Sequence, residues 1–309
     1  MTGARTAAES TPEVAQAFDN PEAYLSRDRR RALADGIELP DRVGGAALFA
    51  DISGFTSLTE ALVAELGSQR GPEELTTCLN LVFHAVISDL DRFGGDVIYF
   101  SGDAITCWLG GDDGSRATAC ALAMQETIKR VGDVVTPGER TVRLAMKVAV
   151  AVGAARRFVV GDPEIQLIDV LAGRLVDRLA VAEHHAEQRE VVLEQSALES
   201  LGDRVEIGER RLDDESGRTI GVVTGLLDDP ATLIEPELEP LPEDLVRPWI
   251  LPAVYEWLRT GRGEFLAELR PAIPVFVHFG GIDYDEDDDA AAKLDDFVRR
   301  AQRICADYG

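Results

Sequence analysis

The sequence predicts an α+β sandwich with the element order βαββαβ, on three observations. A short apolar run, Ala46 to Ala50, ends at Asp51. Two further apolar runs, Val97 to Phe100 and Ala104 to Leu109, flank the tight turn Ser101-Gly102-Asp103. From Val142 to Val152 every even position is apolar. The first run has the length of a buried central strand, and the second pattern is that of a β-hairpin. The third is the period-two signature of a strand with one face on a core.

The elements follow in order. Residues 1–42 are polar and charged and read as a helical lead-in, with Arg27, Arg29, Arg30 and Arg31 on a solvated basic face. After the first strand, Ser53-Gly54-Phe55-Thr56 turns into a helix, Ser53 and Thr56 being candidate caps. Gly71-Pro72-Glu73-Glu74 restarts a helix that carries Leu75, Leu79, Val82, Val86 and Leu90 on one stripe. Phe93-Gly94-Gly95-Asp96 ends it before the hairpin. Residues 115–131 form an amphipathic helix, and the alternating strand after it turns Arg143 and Lys147 away from the core. Residues 164–171 and 190–194 read as strands, 172–187 as a helix, with shorter elements up to residue 226. The Pro-rich, acidic stretch 227–261 reads as a linker. Helix is expected over 249–269 and a strand over 273–279, then an acidic loop and a final helix. A strand and one helix are too little for a domain, so 262–309 reads as the cut-off start of a second module.

Composition bounds the function. The 309 residues carry 31 Lys+Arg against 56 Asp+Glu, a net charge of −25. Such a surface argues against nucleic-acid backbones and against anionic membranes as partners. An anionic substrate would need bound cations or a local basic patch. The four cysteines show no CxxC pairing, as expected of thiols in a reducing compartment. No apolar stretch long enough for a membrane span exists, and the start lacks the apolar core of a signal peptide. A cytoplasmic location is expected.

The residues with the most chemistry are Asp51 and Asp103. If the hairpin pairs beside the first strand, both carboxylates meet at one sheet edge, with Gly54 and Gly102 leaving space. Two hard carboxylates without His or Cys suit Mg²⁺ or Mn²⁺. A helix starting at Gly54 adds N–H donors where phosphates could sit. The alternative is structural: Asp51 as a helix cap and Asp103 as a turn residue.

Phe49-Ala50-Asp51-Ile52-Ser53-Gly54-Phe55-Thr56, Phe93-Gly94-Gly95-Asp96 and Phe100-Ser101-Gly102-Asp103-Ala104 together resemble a class III nucleotidyl cyclase catalytic domain. Within that family they are most similar to the first catalytic half of bicarbonate-responsive soluble adenylyl cyclases and their bacterial relatives. The likeness spans residues 24–226, and Glu268 to Val277 is similar to the opening of the second half. The resemblance implies a ferredoxin-like cyclase sandwich over 43–226, followed by a linker and the truncated second copy. It implies ATP as substrate, 3′,5′-cyclic AMP and pyrophosphate as products, and two Mg²⁺ or Mn²⁺ ions. Asp51, Asp103 and the carbonyl of Ile52 would hold the ions; Gly54, Phe55, Thr56, Gly102 and Lys147 would contact the nucleotide. The partner would be a complementary cyclase half, within a longer protein or as a second copy.

Departures accompany the likeness. The family's adenine-reading Lys in the hairpin is Tyr99 here, and its V-N-x-x-x-R helix reads Val176-Asp177-Arg178-Leu179-Ala180-Val181. Asp177 thus replaces the Asn and Val181 the Arg, so the isolated chain is expected to lack the transition-state pair. That supports an alternative, a non-catalytic cyclase-homology module that binds metal–nucleotide or a partner protein. Arg178 is expected to be a surface arginine and Glu183-His184-His185 a helix-surface group. The run Asp283 to Asp288 imitates a calcium loop, but Asp288 stands where Gly is needed; it reads as a solvated acidic loop.

Overall fold

In the computed structural model, residues 20–228, 230–233, 238–259 and 275–308 are described. Strand β1 (Arg42–Ser53) alternates strictly between two faces of a mixed sheet. Ala46, Leu48, Ala50 and Ile52 enter one core, and Ala47 enters another on the opposite face. Helices α2 (Phe55–Arg92) and α3 (Ser115–Val131) cover the first face with Leu58, Leu62, Val82, Val86, Leu90 and Met124. Each such fully buried side chain contributes about 2 kcal/mol, which keeps the face closed.

The hairpin strands β2 (Asp96–Ser101) and β3 (Ala104–Gly110) fall where expected, and β3 runs antiparallel to β1. On the other side of β1 lies β6 (Ala145–Val160), also antiparallel. The expected element order βαββαβ is present in β1–α2–β2–β3–α3–β6. Between α3 and β6 sits a small hairpin, β4 (Asp133–Val135) with β5 (Thr141–Arg143), that the alternation concealed. Leu144 separates β5 from β6, so the expected single strand is two, and β6 continues to Val160.

β6 pairs with β7 (Ile168–Ala172) and, in parallel, with β8 (Val191–Leu193). Beyond β8 come β10 (Thr219–Leu226) and then β9 (Val205–Leu212). The second face is covered by α4 (Arg174–His184), which buries Leu175, Leu179 and Ala182 against Ala47, Ala149 and Ala151. Helix α5 (Gln195–Leu201) packs Ala197, Leu198 and Leu201 into the first core.

Several expectations need correction. The break in the long helix is at Gly67 (φ 82°), not at Gly71-Pro72; only glycine takes that backbone angle without strain. The basic face of α1 (Arg27–Asp35) is not solvated: Arg29 is buried, bonds Asp169 at 3.0 Å and lies over the Trp249 ring. Helices α6 (Glu243–Val246) and α7 (Pro252–Arg259) pack Val246, Tyr255 and Leu258 on Leu25, just before α1. From Leu241 to Leu258 the expected linker thus lies against the lead-in, whereas Leu227 and Leu233 bond the Arg204 and Arg92 carbonyls. Residues 275–279 form no strand, and Val275 and Phe276 are exposed; the rest of the expected strand, like most of the second-half motif Glu268 to Val277, lies outside the described residues. The final helix α8 (Ala290–Tyr308) packs Ala290 and Leu294 on Phe158 and Val160. Its preceding loop is not merely solvated: Arg156 donates to the Tyr284 carbonyl, and Asp285 accepts from the Arg174 N–H at the start of α4.

Candidate active site

Asp51 lies near the end of β1, on the α4 face of the sheet by alternation from Ala47. Its register partner on β3 is Ala104, the residue after Asp103, and its partner on β6 is Lys147. The Ile52 N–H donates to the Asp103 carbonyl at 3.1 Å, which ties the hairpin turn to the end of β1. The structure therefore brings Asp51, Ile52, Asp103 and Lys147 together at one end of the neighbouring strands β3, β1 and β6. Gly102 opens the turn with φ 65°, and no atom lies within 4 Å of where its Cβ would be.

The next residues enter α2 through Gly54, whose φ of 107° and contact with the Arg143 carbonyl exclude a side chain. No side chain caps α2, so its first N–H groups, from Phe55 and Thr56 onward, are left for another acceptor. The candidate caps Ser53 and Thr56 do not cap: Ser53 Oγ donates instead to the Ala145 carbonyl. The Phe55 side chain is buried and stacks on Phe83, leaving its backbone as the part that could meet a phosphate.

Charge is concentrated here. Lys147 Nζ lies 3.6 Å from Asp51 Oδ2 and 2.5 Å from Glu183 Oε1. Burial raises the Asp51 carboxyl pKa; Lys147 opposes the rise, and the charges of Asp103 and Glu183 add to it. Burial works to lower the Lys147 pKa, but the Glu183 and Asp51 carboxylates outweigh it and hold the ammonium above its usual range. Two carboxylates and the Ile52 carbonyl make an all-oxygen donor set, the chemistry of Mg²⁺ or Mn²⁺. Among the described residues no group of three or more His, Cys, Asp or Glu side chains is placed to hold a metal. A metal here would complete its shell with backbone and water oxygens beside the two carboxylates.

Parts of the chain are similar to known cyclases. Adenylate cyclase type 10 of Oryctolagus cuniculus is 28% identical over 176 residues, 57% of this chain and 11% of that protein. The protein of the same name from Homo sapiens is 28% identical over 154 residues, 50% of this chain and 10% of that protein. The chain thus spans about a tenth of the length of these relatives. The solved guanylyl cyclase Cya2 superposes with a TM-score of 0.50 at 25% identity, over 60% of this chain and 94% of that one. The chain resembles class III nucleotidyl cyclases in sequence and in fold. The adenylyl cyclase CyaB from P. aeruginosa shares the cyclase fold, with a TM-score of 0.50 at 20% identity over 62% of this chain and 98% of that one. No family model matches the chain.

Within the cyclase fold, the departures have definite places. Tyr99 is partly exposed on β2 and lines a recess of about 450 Å³ with Tyr24, Arg29 and Trp249. Asp177 is exposed on α4, whereas Val181 packs against the α4-side core. Arg178 is not a free surface arginine: its Nη2 donates to the Val152 carbonyl at 3.0 Å and its Nε is buried. His185 bonds Asp213 at 2.8 Å. Glu183 was expected on the helix surface and instead holds Lys147. The signal that could have found it is the helical spacing: it follows Leu179 by one turn on the inward stripe of α4. Among the described residues no helix is long and apolar enough to cross a membrane.

Proposed function

We propose that this domain is the catalytic half of an adenylate cyclase, converting ATP to 3′,5′-cyclic AMP and pyrophosphate at a site completed by a complementary half. The observation that carries the reading is the Asp51–Asp103 pair, joined through the Ile52–Asp103 backbone bond beside an uncapped helix start. The cyclase relatives support it, and adenylate is preferred over guanylate because the curated relatives are named adenylate cyclases. Asp51, Asp103 and the Ile52 carbonyl would hold two Mg²⁺ or Mn²⁺ ions. Such ions, when bound, lower the pKa of the ribose 3′-hydroxyl and offset triphosphate charge. The first N–H groups of α2 would receive the β- and γ-phosphates. Lys147 would supply a positive charge to the phosphate chain from the neighbouring strand. The 3′-oxygen then bonds to the α-phosphorus, the bond to the bridging oxygen breaks, and pyrophosphate leaves with the negative charge. The proton of the ribose 3′-hydroxyl passes to solvent.

A second reading has its own observation. Exposed Asp177 and packed Val181 stand where the family's Asn–Arg pair would be, so one chain lacks those groups. A regulatory module that binds metal–nucleotide without turnover would tolerate that loss. The two readings separate on cyclic nucleotide production from Mn²⁺–ATP and Mn²⁺–GTP, by the chain alone and with a complementary half, using Asp51→Asn as control. Product that disappears in Asp51→Asn supports the catalytic half. No product in the reconstituted complex, with nucleotide binding intact, supports the regulatory module.

A further inference from the structure

Lys147 faces two carboxylates, and the nearer one is not Asp51. Its Nζ is 2.5 Å from Glu183 Oε1 and 3.6 Å from Asp51 Oδ2. The three side chains come from three elements, β6, α4 and β1, and each is only about a quarter exposed. Helix α4 is held firmly. Leu175, Leu179 and Ala182 are buried on the sheet, and the Arg174 N–H is bonded to Asp285 Oδ2 at 2.8 Å. Glu183 follows Ala182 directly and therefore emerges at the sheet surface beside Lys147.

A lysine directly across the strand pair from Asp51 competes for the carboxylate that a divalent ion would need. An ammonium drawn fully onto Asp51 would have to be displaced before an ion could enter. We propose that Glu183 is a positioning residue: it draws the Lys147 ammonium off Asp51 and keeps that carboxylate open to a divalent cation. The proposal rests on reading Asp51 and Asp103 as the metal-binding pair. It assigns Glu183 no contact with nucleotide or metal; its effect passes through Lys147. With Glu183 neutralised, Asp51 becomes the lysine's nearest anion and the pair closes.

The test is Mn²⁺ titration calorimetry on the full chain, comparing wild type, E183Q, K147M and the double variant, with D51N as control. Wild type binds Mn²⁺ and D51N does not. E183Q weakens Mn²⁺ binding about tenfold, and in the K147M background the same substitution changes it less than about twofold. Equal weakening in both backgrounds means that Glu183 acts by its own charge and overturns the proposal. An E183Q affinity equal to wild type overturns it as well. Wild-type binding that survives in D51N, or no binding at all, overturns the metal-pair reading and this proposal with it. Circular dichroism melts check each variant; if E183Q does not melt cooperatively, Glu183→Asp takes its place. That shorter side chain withdraws from Lys147 and carries the same two expectations.

Discussion

Arg157 and Asp169 form a two-pronged ion pair, with Nε 3.2 Å from Oδ1 and Nη2 2.8 Å from Oδ2. The same guanidinium, 2% exposed, also bonds Asp28 of α1 and Ser26. One buried cation on β6 therefore joins the lead-in helix to β7. Arg157→Ala would leave Asp169 with Arg29 as its remaining ion-pair partner and Asp28 with the Ser26 hydroxyl, a loss of a buried partner that costs about 3 kcal/mol. The expected outcome is a lower urea midpoint and faster tryptic cleavage within residues 27–31. Unchanged cleavage would show that α1 is held without this pair.

Asp96 begins β2 and accepts the Arg27 N–H of α1 at 2.5 Å. Burial, then the Asp28 charge, pushes its pKa up to about 7, against the Arg27 and Asp28 N–H groups and Arg157. A carboxyl raised above its unfolded value of 3.8 makes the folded state bind more protons, so its contribution to stability falls as pH rises from about 4 to 7. Above that window the loss is complete. Asp96→Asn keeps an acceptor for Arg27 without the charge. At pH 8 it should melt about 3 °C above wild type, the gap closing towards pH 4. A gap that stays constant with pH would rule out titration of Asp96 as its cause.

Gly54 combines a left-handed backbone with a Cβ position 2.8 Å from the Arg143 carbonyl. Gly54→Ala is expected to cost about 2 kcal/mol through strain and the clash. It would also move the first turn of α2, so ATP affinity should fall more than stability alone explains. Measuring Mn²⁺–ATP binding below the melting range separates the two effects.

Thr127 Oγ1 donates to Asp89 Oδ2 at 2.5 Å, joining α3 to α2 beneath the sheet. Both residues are buried, and Asp89 has Arg92 as its other partner. Thr127→Val preserves shape and removes the donor, leaving one carboxylate oxygen short of a partner at a cost of about 1–3 kcal/mol. Chemical denaturation with an unchanged slope and a lower midpoint is the expected readout. An unchanged midpoint would mean that Arg92 alone satisfies Asp89.

Asp103→Asn removes one of the two charges at this end of the sheet while the Ile52–Asp103 backbone bond remains available. The fold should be retained, with the melting temperature within about 2 °C of wild type. Mn²⁺ affinity should drop at least about tenfold, read by calorimetry. Retained affinity would place the metal site elsewhere.

What the sequence determined by itself is local. The hairpin around Gly102, the helix over 115–131 and the buried run Ala46 to Ala50 of β1 each follow from periods and turn chemistry contained in a few neighbouring residues. Asp51 and Asp103 are legible as a pair because one closes an apolar run, the other sits in a turn, and the hairpin's natural neighbour is the strand that carries the run. Tertiary structure decided the rest, because charge pairing depends on which elements meet. Arg29 reads as solvated until α1 lies on β7, and Arg178 reads as a surface arginine until α4 lies on the sheet. Glu183 sits 36 residues from Lys147 in the chain, and only the packing of α4 on β6 brings the two together. No period or motif records such a meeting; it is settled by the burial of Leu175, Leu179 and Ala182, which fixes the face α4 turns to the sheet.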